Sequence, residues 1–280
     1  LFGISFTDAN TGTVAGVSGT ILRTTNGGVT WVQQTSGTTN DLWGVCFVSA
    51  DIGSVVGSSG TILRTTNGGT TWVQQTSGTT QRLWRVCFIN ADTGTAVGLS
   101  GTIVRTTNGG TSWTIQTSGT TNELRGVSFT DANTGSVVGG GGKILRTTNG
   151  GATWVTQTSG TTTWFWDVSF ADANNGIAVG EYGKICRTID GGTTWSAQTS
   201  GTTKWLYGVQ MLNASIGTTV GGYGSPNIGT ILRTTDGGIT WNSQTSGTSN
   251  VIDNVHFIDA NIGYAAGTNG AILKTTTGGQ

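Results

Sequence analysis

The chain has 280 residues, with 13 basic and 13 acidic side chains and a formal net charge of zero. Charged residues are 9% of the total, far below the roughly 25% of an average globular domain, so nucleic acid and anionic membranes find no electrostatic footing. A single proline against 49 glycines excludes collagen and Pro-rich linkers, and eleven Trp, four Tyr and eight Phe exclude a disordered chain.

The predicted elements, taken along the chain, repeat. A small apolar run predicts a first strand ending at Phe6, and the same run recurs before Phe47, Phe88, Phe129, Phe170, Met211 and Phe257. In the second copy the run Val45–Val48 is followed by the turn SADIG, a strand at Ser54–Val56, a Gly-rich turn at Gly57–Gly60 and a strand at Thr61–Thr66. Asn67-Gly68-Gly69 is a hairpin turn, because Asn and Gly both accept the positive φ that tight turns require. A fourth strand, Trp72–Thr76, follows, and SGTT leads to the next copy. The Trp of this phrase recurs at Trp31, Trp72, Trp113, Trp154, Trp195 and Trp241, spaced by 41 residues four times and then by 46. The longer interval contains an insertion at Tyr223–Asn227, which carries Pro226.

Four short strands per unit, repeated about every 40–45 residues, select a β-propeller among all-β folds. The expected fold is therefore all-β: one seven-bladed propeller domain over residues 1–280. Seven full periods with the insertion would take 292 residues, and the chain has 280. The shortfall falls at the junction of the seventh unit with the first. The seventh blade is thus expected to show three strands within this chain, or to have its edge filled by residues outside these 280 or by a neighbouring molecule, since an open edge would otherwise invite pairing with another chain. No apolar run approaches the roughly 18 residues of a membrane helix, so membrane insertion is not expected.

The phrases TTNGGVTW, TTNGGTTW, TTNGGTSW, TTNGGATW, TIDGGTTW and TTDGGITW resemble the Asp-box, or bacterial neuraminidase repeat. With VGxxGxILRTTNGG and DANTG added, the longer pattern resembles the photosystem II stability and assembly factor-like propellers over essentially the whole chain. That resemblance implies a seven-bladed, often exported propeller that assists assembly by binding protein. The structural box residues are Asn26 with Trp31, Asn67 with Trp72, Asn108 with Trp113, Asn149 with Trp154, Asp190 with Trp195 and Asp236 with Trp241; Thr277 stands at the seventh position. Asn still caps the turn through its oxygen, whereas an acid–base role does not survive the exchange.

Asp-boxes also occur in glycosidases, which need two carboxylates facing one sugar, or a Tyr nucleophile with its base. The chain has two Glu, Glu123 and Glu181, and most Asp stand at repeat positions. The Arg residues outside the repeat framework, Arg82, Arg85 and Arg125, come from adjacent loops without a nearby Tyr. His256 stands alone, and no His/Cys cluster points to zinc. Cys46 and Cys87 share one strand position and read as small buried residues rather than a redox pair. The chain is accordingly expected to be non-enzymatic, with no catalytic residue, metal or cofactor. Arg23, Arg64, Arg105, Arg146, Arg187, Arg233 and Lys274 hold one repeat position, and Asp8, Asp51, Asp92, Asp131, Asp172 and Asp259 recur one per unit in the turn between strands one and two. The two sets are expected to pair, with Arg233 left free because the sixth unit lacks the carboxylate.

Divergence between copies concentrates on the turns joining strands two and three and on the approaches to the first strand: Val17-Ser18, Leu99-Ser100, Glu181-Tyr182 and the insertion. This is the candidate working face. The second residue of each first strand reads Phe2, Trp43, Trp84, Arg125, Trp166, Tyr207 and Asp253. Together with Trp164, Tyr182, Trp205 and Tyr223 these form the candidate ligand-binding set, suited to the anchor side chains of a protein partner or to a glycan. Abundant Thr, Gly, Ser and Asn with few Lys and Glu suit an exported setting: extracellular, periplasmic or lumenal. The given chain shows no signal peptide and starts within a repeat, so it reads as a mature or trimmed product.

Overall fold

The computed structural model describes residues 1–223 and 228–279. It is an all-β, seven-bladed β-propeller. Among the described residues six sheets have four strands in sequence order and the seventh has three, Ile252–Phe257, Gly263–Gly267 and Ile272–Thr275. No α-helix occurs among them. By compactness the chain forms two units, Leu1–Leu124 with three sheets and Arg125–Gln280 with four.

The second blade shows how the sequence makes the unit. Its strands are Leu42–Phe47, Gly53–Gly57, Ile62–Thr65 and Val73–Gln75, each antiparallel to the next. Val55 pairs with Val45 on one side and Leu63 on the other. The second strand is buried along its whole length while the fourth is mostly exposed. A strand covered on both faces must be small and mostly apolar, as GSVVG is, with its one hydroxyl, Ser54, hydrogen-bonded to Arg64. The glycine that opens it is a steric necessity: a Cβ on Gly53 would lie 2.5 Å from the Phe47 ring. The same conflict recurs at Gly12, Gly94, Gly135, Gly176 and Gly263 with the Phe of their own blades, and at Gly217 with Met211. That fixed Phe–Gly pair seats the turn Trp edge-on to the Phe, as at Phe47–Trp72 (5.9 Å between ring centroids, 87°) and Phe88–Trp113 (5.8 Å, 87°).

The TTNGG turn is held by its own side chains. Asn67 Oδ1 accepts a hydrogen bond from the Thr71 amide at 2.9 Å, its Nδ2 donates to Thr71 Oγ1 at 3.0 Å, and the Gly69 amide donates to Thr65 Oγ1 at 2.7 Å. Where Asp replaces Asn the hydroxyl reverses its role: Thr194 Oγ1 donates to Asp190 Oδ2 at 2.6 Å, and Thr240 Oγ1 to Asp236 Oδ2 at 2.6 Å. Gly68 and Gly69 both have positive φ, 67° and 83°, which closes this turn at little steric cost.

Neighbouring blades are joined by polar side chains on the first strands. Ser5 Oγ accepts from the Phe47 amide at 3.0 Å and Cys46 Sγ from the Phe88 amide at 3.3 Å; in the second unit Ser128 and Ser169 accept from Phe170 and Met211. Cys46 is thus a serine equivalent, with its thiol pushed up to about 12 by burial and then by the neighbouring Cys87.

The repeated arginines feel the carboxylates expected to pair with them, Arg23 those of Asp51 and Asp8 and Arg64 that of Asp92, but direct their hydrogen bonds elsewhere. Arg64 is buried, lies 4.9 Å from the Phe88 ring of the next blade, and donates to Ser54 Oγ at 3.0 Å and to the Ala91 carbonyl. Arg23 does the same with Phe47, Thr13 and the Ala50 carbonyl. Asp8 and Asp131 are spent on their own backbone, Asp8 Oδ1 accepting from the Asn10 and Thr11 amides and Asp131 Oδ1 from Asn133 and Thr134. In the second and third blades Ser49 and Asn90 cap the turn instead and leave Asp51 and Asp92 to the field of Arg23 and Arg64. Arg233 is not the free cation the missing carboxylate implied. It is buried, lies 4.9 Å from the Phe257 ring, and donates to Thr218 Oγ1 at 3.1 Å and the Ala260 carbonyl at 2.6 Å. A guanidinium offers five donors in a flat fork, so turn carbonyls and an aromatic face satisfy it without an ion pair.

Candidate functional site

The first strands carry an irregularity invisible in the repeat. Pairing with the second strand slips by one residue between Leu42 and Gly44, Leu83 and Arg85, Phe165 and Asp167, Leu206 and Gly208, and Ile252 and Asn254. The residues skipped are Trp43, Trp84, Trp166, Tyr207 and Asp253. A bulge takes its side chain out of the in-out alternation and re-aims it. Within each blade the bulge sits beside the turn joining strands two and three, since the Ser58, Leu99, Glu181 and Thr268 amides donate to the Asp41, Arg82, Trp164 and Val251 carbonyls. The divergent turns and the bulged aromatics therefore share one end of each blade.

The first unit holds one aromatic cluster. Phe2 stacks on Trp43 with centroids 3.9 Å apart, and Trp43 meets Trp84 at 4.7 Å. Arg82 lies over both indoles, 5.3 Å from Trp43 and 4.8 Å from Trp84. Trp43 Nε1 donates to Ser58 Oγ at 3.2 Å, and Arg85 donates to the Trp43 carbonyl at 3.3 Å. Trp84 is 7% exposed. This cluster is packed against itself.

The second unit holds a larger and more open cluster. Trp166 lies 5.9 Å from Trp164, 5.7 Å from Trp205 and 5.3 Å from Tyr207, with Arg125 4.4 Å over its ring. Trp205 also meets Tyr223 at 4.6 Å and Tyr182 at 6.0 Å. Tyr182 is 67% exposed and Tyr223 51%. The rest of the insertion, residues 224–227 with Pro226, lies outside the described residues. Trp166 Nε1 is buried and has no hydrogen-bond partner among the described residues. Burial raises the Tyr207 phenol, and the Asp253, Tyr223 and Glu181 charges raise it further while Arg125 opposes. Burial likewise raises Glu181, against a hydrogen bond from the backbone. Tyr207 therefore stays a neutral hydroxyl, able both to donate and to accept.

Tyr182 has a further peculiarity. Its φ of 55° places it in the left-handed region, which costs an L-residue about 1–2 kcal/mol. Other blades put Ser18, Ser59, Ser100, Gly141 or Asn269 there, small residues or one that tolerates the conformation. Here strain holds an aromatic side chain in water above Trp205.

All eleven candidate residues thus fall in or beside these two units' clusters: Phe2, Trp43 and Trp84 in the first, and Arg125, Trp164, Trp166, Tyr182, Trp205, Tyr207, Tyr223 and Asp253 in the second. Sequence reasoning missed Arg82 as a member and Asp167 as a support. Arg82's one signal was that it stands outside the repeat framework. Asp167 is buried, accepts from the Val168 amide at 3.0 Å and from the Val209 amide of the next blade at 3.2 Å, and so fixes the strands that carry Trp166 and Tyr207.

The sequence profile described as "Photosynthesis system II assembly factor YCF48" matches residues 1–76, 33–116 and 155–245. Among solved structures, one described as "YCF48 bound to D1 peptide" superimposes with a TM-score of 0.80 at 20% identity, covering 99% of this chain and 91% of the other. YCF48 from Cyanidioschyzon merolae gives 0.79 at 21% identity, covering 98% and 94%. The GH74 xyloglucanase from Xanthomonas campestris gives 0.81 at 12% identity, covering 99% of this chain but 52% of the enzyme, a likeness of fold alone. No curated protein matches the chain. The profile covers well over half of the sequence, and the chain belongs to the photosynthesis system II assembly factor YCF48 family.

Proposed function

We propose that the chain is a non-catalytic binding module that grips a segment of a protein partner on the open aromatic cluster around Trp166, Trp205 and Tyr182. The observation that carries this reading is Tyr182: an exposed ring, held in a strained conformation, over an indole. Strain of this kind persists where function uses it. Flat aromatic faces and a neutral Tyr207 hydroxyl suit an extended peptide, whose backbone offers acceptors and whose apolar side chains offer anchors. The similar structure bound to a D1 peptide supports peptide as the ligand class. Family membership and the composition support an assembly role in a lumenal or otherwise exported compartment, with all 280 residues acting as one binding domain.

Titration calorimetry with the D1 peptide and, separately, a xyloglucan oligosaccharide tests this reading. The peptide should bind, and Trp205→Ala or Tyr182→Ala should weaken it at least tenfold while the fold is kept. Saturable binding of the sugar without the peptide would replace the protein partner with a glycan.

A further inference from the structure

Glu181 differs from the turn carboxylates of its unit. Asp131, Asp172 and Asp259 accept hydrogen bonds from the amides of their own turns, and Asp190 and Asp236 from Thr194 and Thr240. Donors of this kind hold all five low. Glu181 is pushed up instead, by burial, against a backbone hydrogen bond at Trp164, and neither Arg125 nor Lys204 contributes to its charge state. Among the described residues it forms no ion pair. A partly buried carboxylate without a cation has lost hydration that no partner replaces, and such groups gather at sites that await a ligand.

Its place in the repeat is one that reaches the bulged aromatic. In the second blade the equivalent residue is Ser58, whose Oγ accepts from Trp43 Nε1 at 3.2 Å. The other turns of this kind open with Val17, Leu99, Gly140 and Thr268, none of which carries a charge. The Glu181 carboxylate is close enough to Tyr207 to raise its phenol, as is Asp253, while Arg125 opposes both. Tyr207 lies 5.3 Å from Trp166 and 6.2 Å from Trp205. Trp205 in turn meets Tyr182, the residue after Glu181, at 79° and Tyr223 at 47°. Rings inclined in this way around one indole offer their electron-rich faces in more than one direction. The cluster already seats one guanidinium by this means, Arg125 at 4.4 Å over Trp166.

Resting on the reading of the cluster as a peptide site, we propose that it selects a peptide carrying an arginine, whose guanidinium pairs with the Glu181 carboxylate and stacks on the rings of Tyr182 and Trp205. Arginine suits the place better than lysine on two counts: its fork matches both oxygens of a carboxylate, and its plane lies flat on an aromatic ring. Attraction between a cation and a ring grows where water is thinned out, and Glu181, Trp205 and Tyr207 are each only partly exposed. Arg125 does not fill this role, because it is seated on Trp166 and acts on Tyr207 rather than on Glu181.

Calorimetry on the 280-residue chain with two pentapeptides tests the assignment: acetyl-Gly-Ala-Arg-Ala-Gly-amide, and the same peptide with citrulline, a neutral isostere, for its Arg. The Arg peptide should bind at least tenfold more tightly. Glu181→Gln, which keeps the shape of the side chain, should remove most of that preference and leave the citrulline peptide unchanged. Trp205→Ala should weaken both. A preference for Arg undiminished by Glu181→Gln would overturn the proposal, as would equal binding of the two peptides or no binding of either at millimolar concentration. The D1 peptide, titrated on the same chain, reads the underlying site separately: if Trp205→Ala weakens it, the peptide site stands even where the arginine preference fails.

Discussion

The two aromatic clusters are built from equivalent repeat positions and have opposite characters. In the first unit Phe2, Trp43 and Trp84 stack on one another under Arg82, Trp84 is 7% exposed, and the Trp43 N–H is consumed by Ser58. In the second unit Tyr182 and Tyr223 are more than half exposed. One repeat thus yields a packed wall in one place and a receptive surface in another. The bulge decides where the side chain points; its neighbours decide whether it is used up.

The largest effect expected from this contrast is on stability. Trp84→Ala should cost about 3–5 kcal/mol, the range for truncating a core Trp. Trp205→Ala should cost much less and abolish peptide binding instead. Urea unfolding and calorimetry on both variants check the pair. Comparable stability losses would erase the distinction between the clusters.

Next is a control that should not distinguish the units. Arg64 in the first and Arg233 in the second make the same contacts: a hydroxyl, a turn carbonyl of the next blade, and a Phe face. Truncating either to Ala strands the carbonyl and should cost about 1–3 kcal/mol. Equal losses would confine the difference between the units to their aromatic clusters.

These pairs also mark what the sequence made legible. The 41-residue period and the Asn or Asp turn caps are local demands met by similar residues in most copies, so they stood in plain view, whereas the clash that fixes each Phe or Met211 against its Gly needed the structure. The bulged positions could be picked out because they diverge while the position before them stays Leu, Phe or Ile and the position two after stays Val or Ile. What could not be read was the contact made by each side chain once placed. Arg64 and Asp92 are complementary in sequence and attract one another in the fold, yet the direct contacts of the guanidinium are the Ala91 carbonyl and the Phe88 ring. Trp84 and Trp166 are equivalent in sequence, yet the first is buried and the second only partly so.

Acid should separate the units by a third route. The turn caps of the first unit are Asn26, Asn67 and Asn108, which do not titrate, whereas the second uses Asn149, Asp190 and Asp236. Hydrogen bonds from Thr194 and Thr240 hold Asp190 and Asp236 at about 2, below the ordinary 3.8. A carboxylate depressed in the folded state contributes stability above its unfolded value and loses it as the pH falls through the folded value. The first unit has Asp8 held low and the second has Asp131, Asp172 and Asp259 besides Asp190 and Asp236, so the second unit should lose more protection between about pH 4 and 2. Hydrogen exchange read by mass spectrometry resolves the two. Asp190→Asn with Asp236→Asn should move the second unit's midpoint to lower pH, and an unmoved midpoint would assign the acid response to other carboxylates such as Asp131 or Asp172, which are also held low by backbone amides.

The smallest effect is the most discriminating, because its sign is unusual. Tyr182→Gly removes a Cβ from a left-handed backbone and should stabilise the chain by about 0.5–1 kcal/mol, the relief of strain being partly offset by the greater freedom of unfolded glycine. The fourth blade already has glycine at the equivalent position, Gly141, with φ 68°. Tyr182→Ala keeps the Cβ and gains no such relief, so its stability should stay near that of the parent. Both variants lose the ring over Trp205, and both should weaken peptide binding about tenfold. A glycine variant that is more stable and binds less would establish that the strain is kept for the ligand. A glycine variant that is less stable would make Tyr182 a packing residue for Trp205 and join the second cluster to the first in kind.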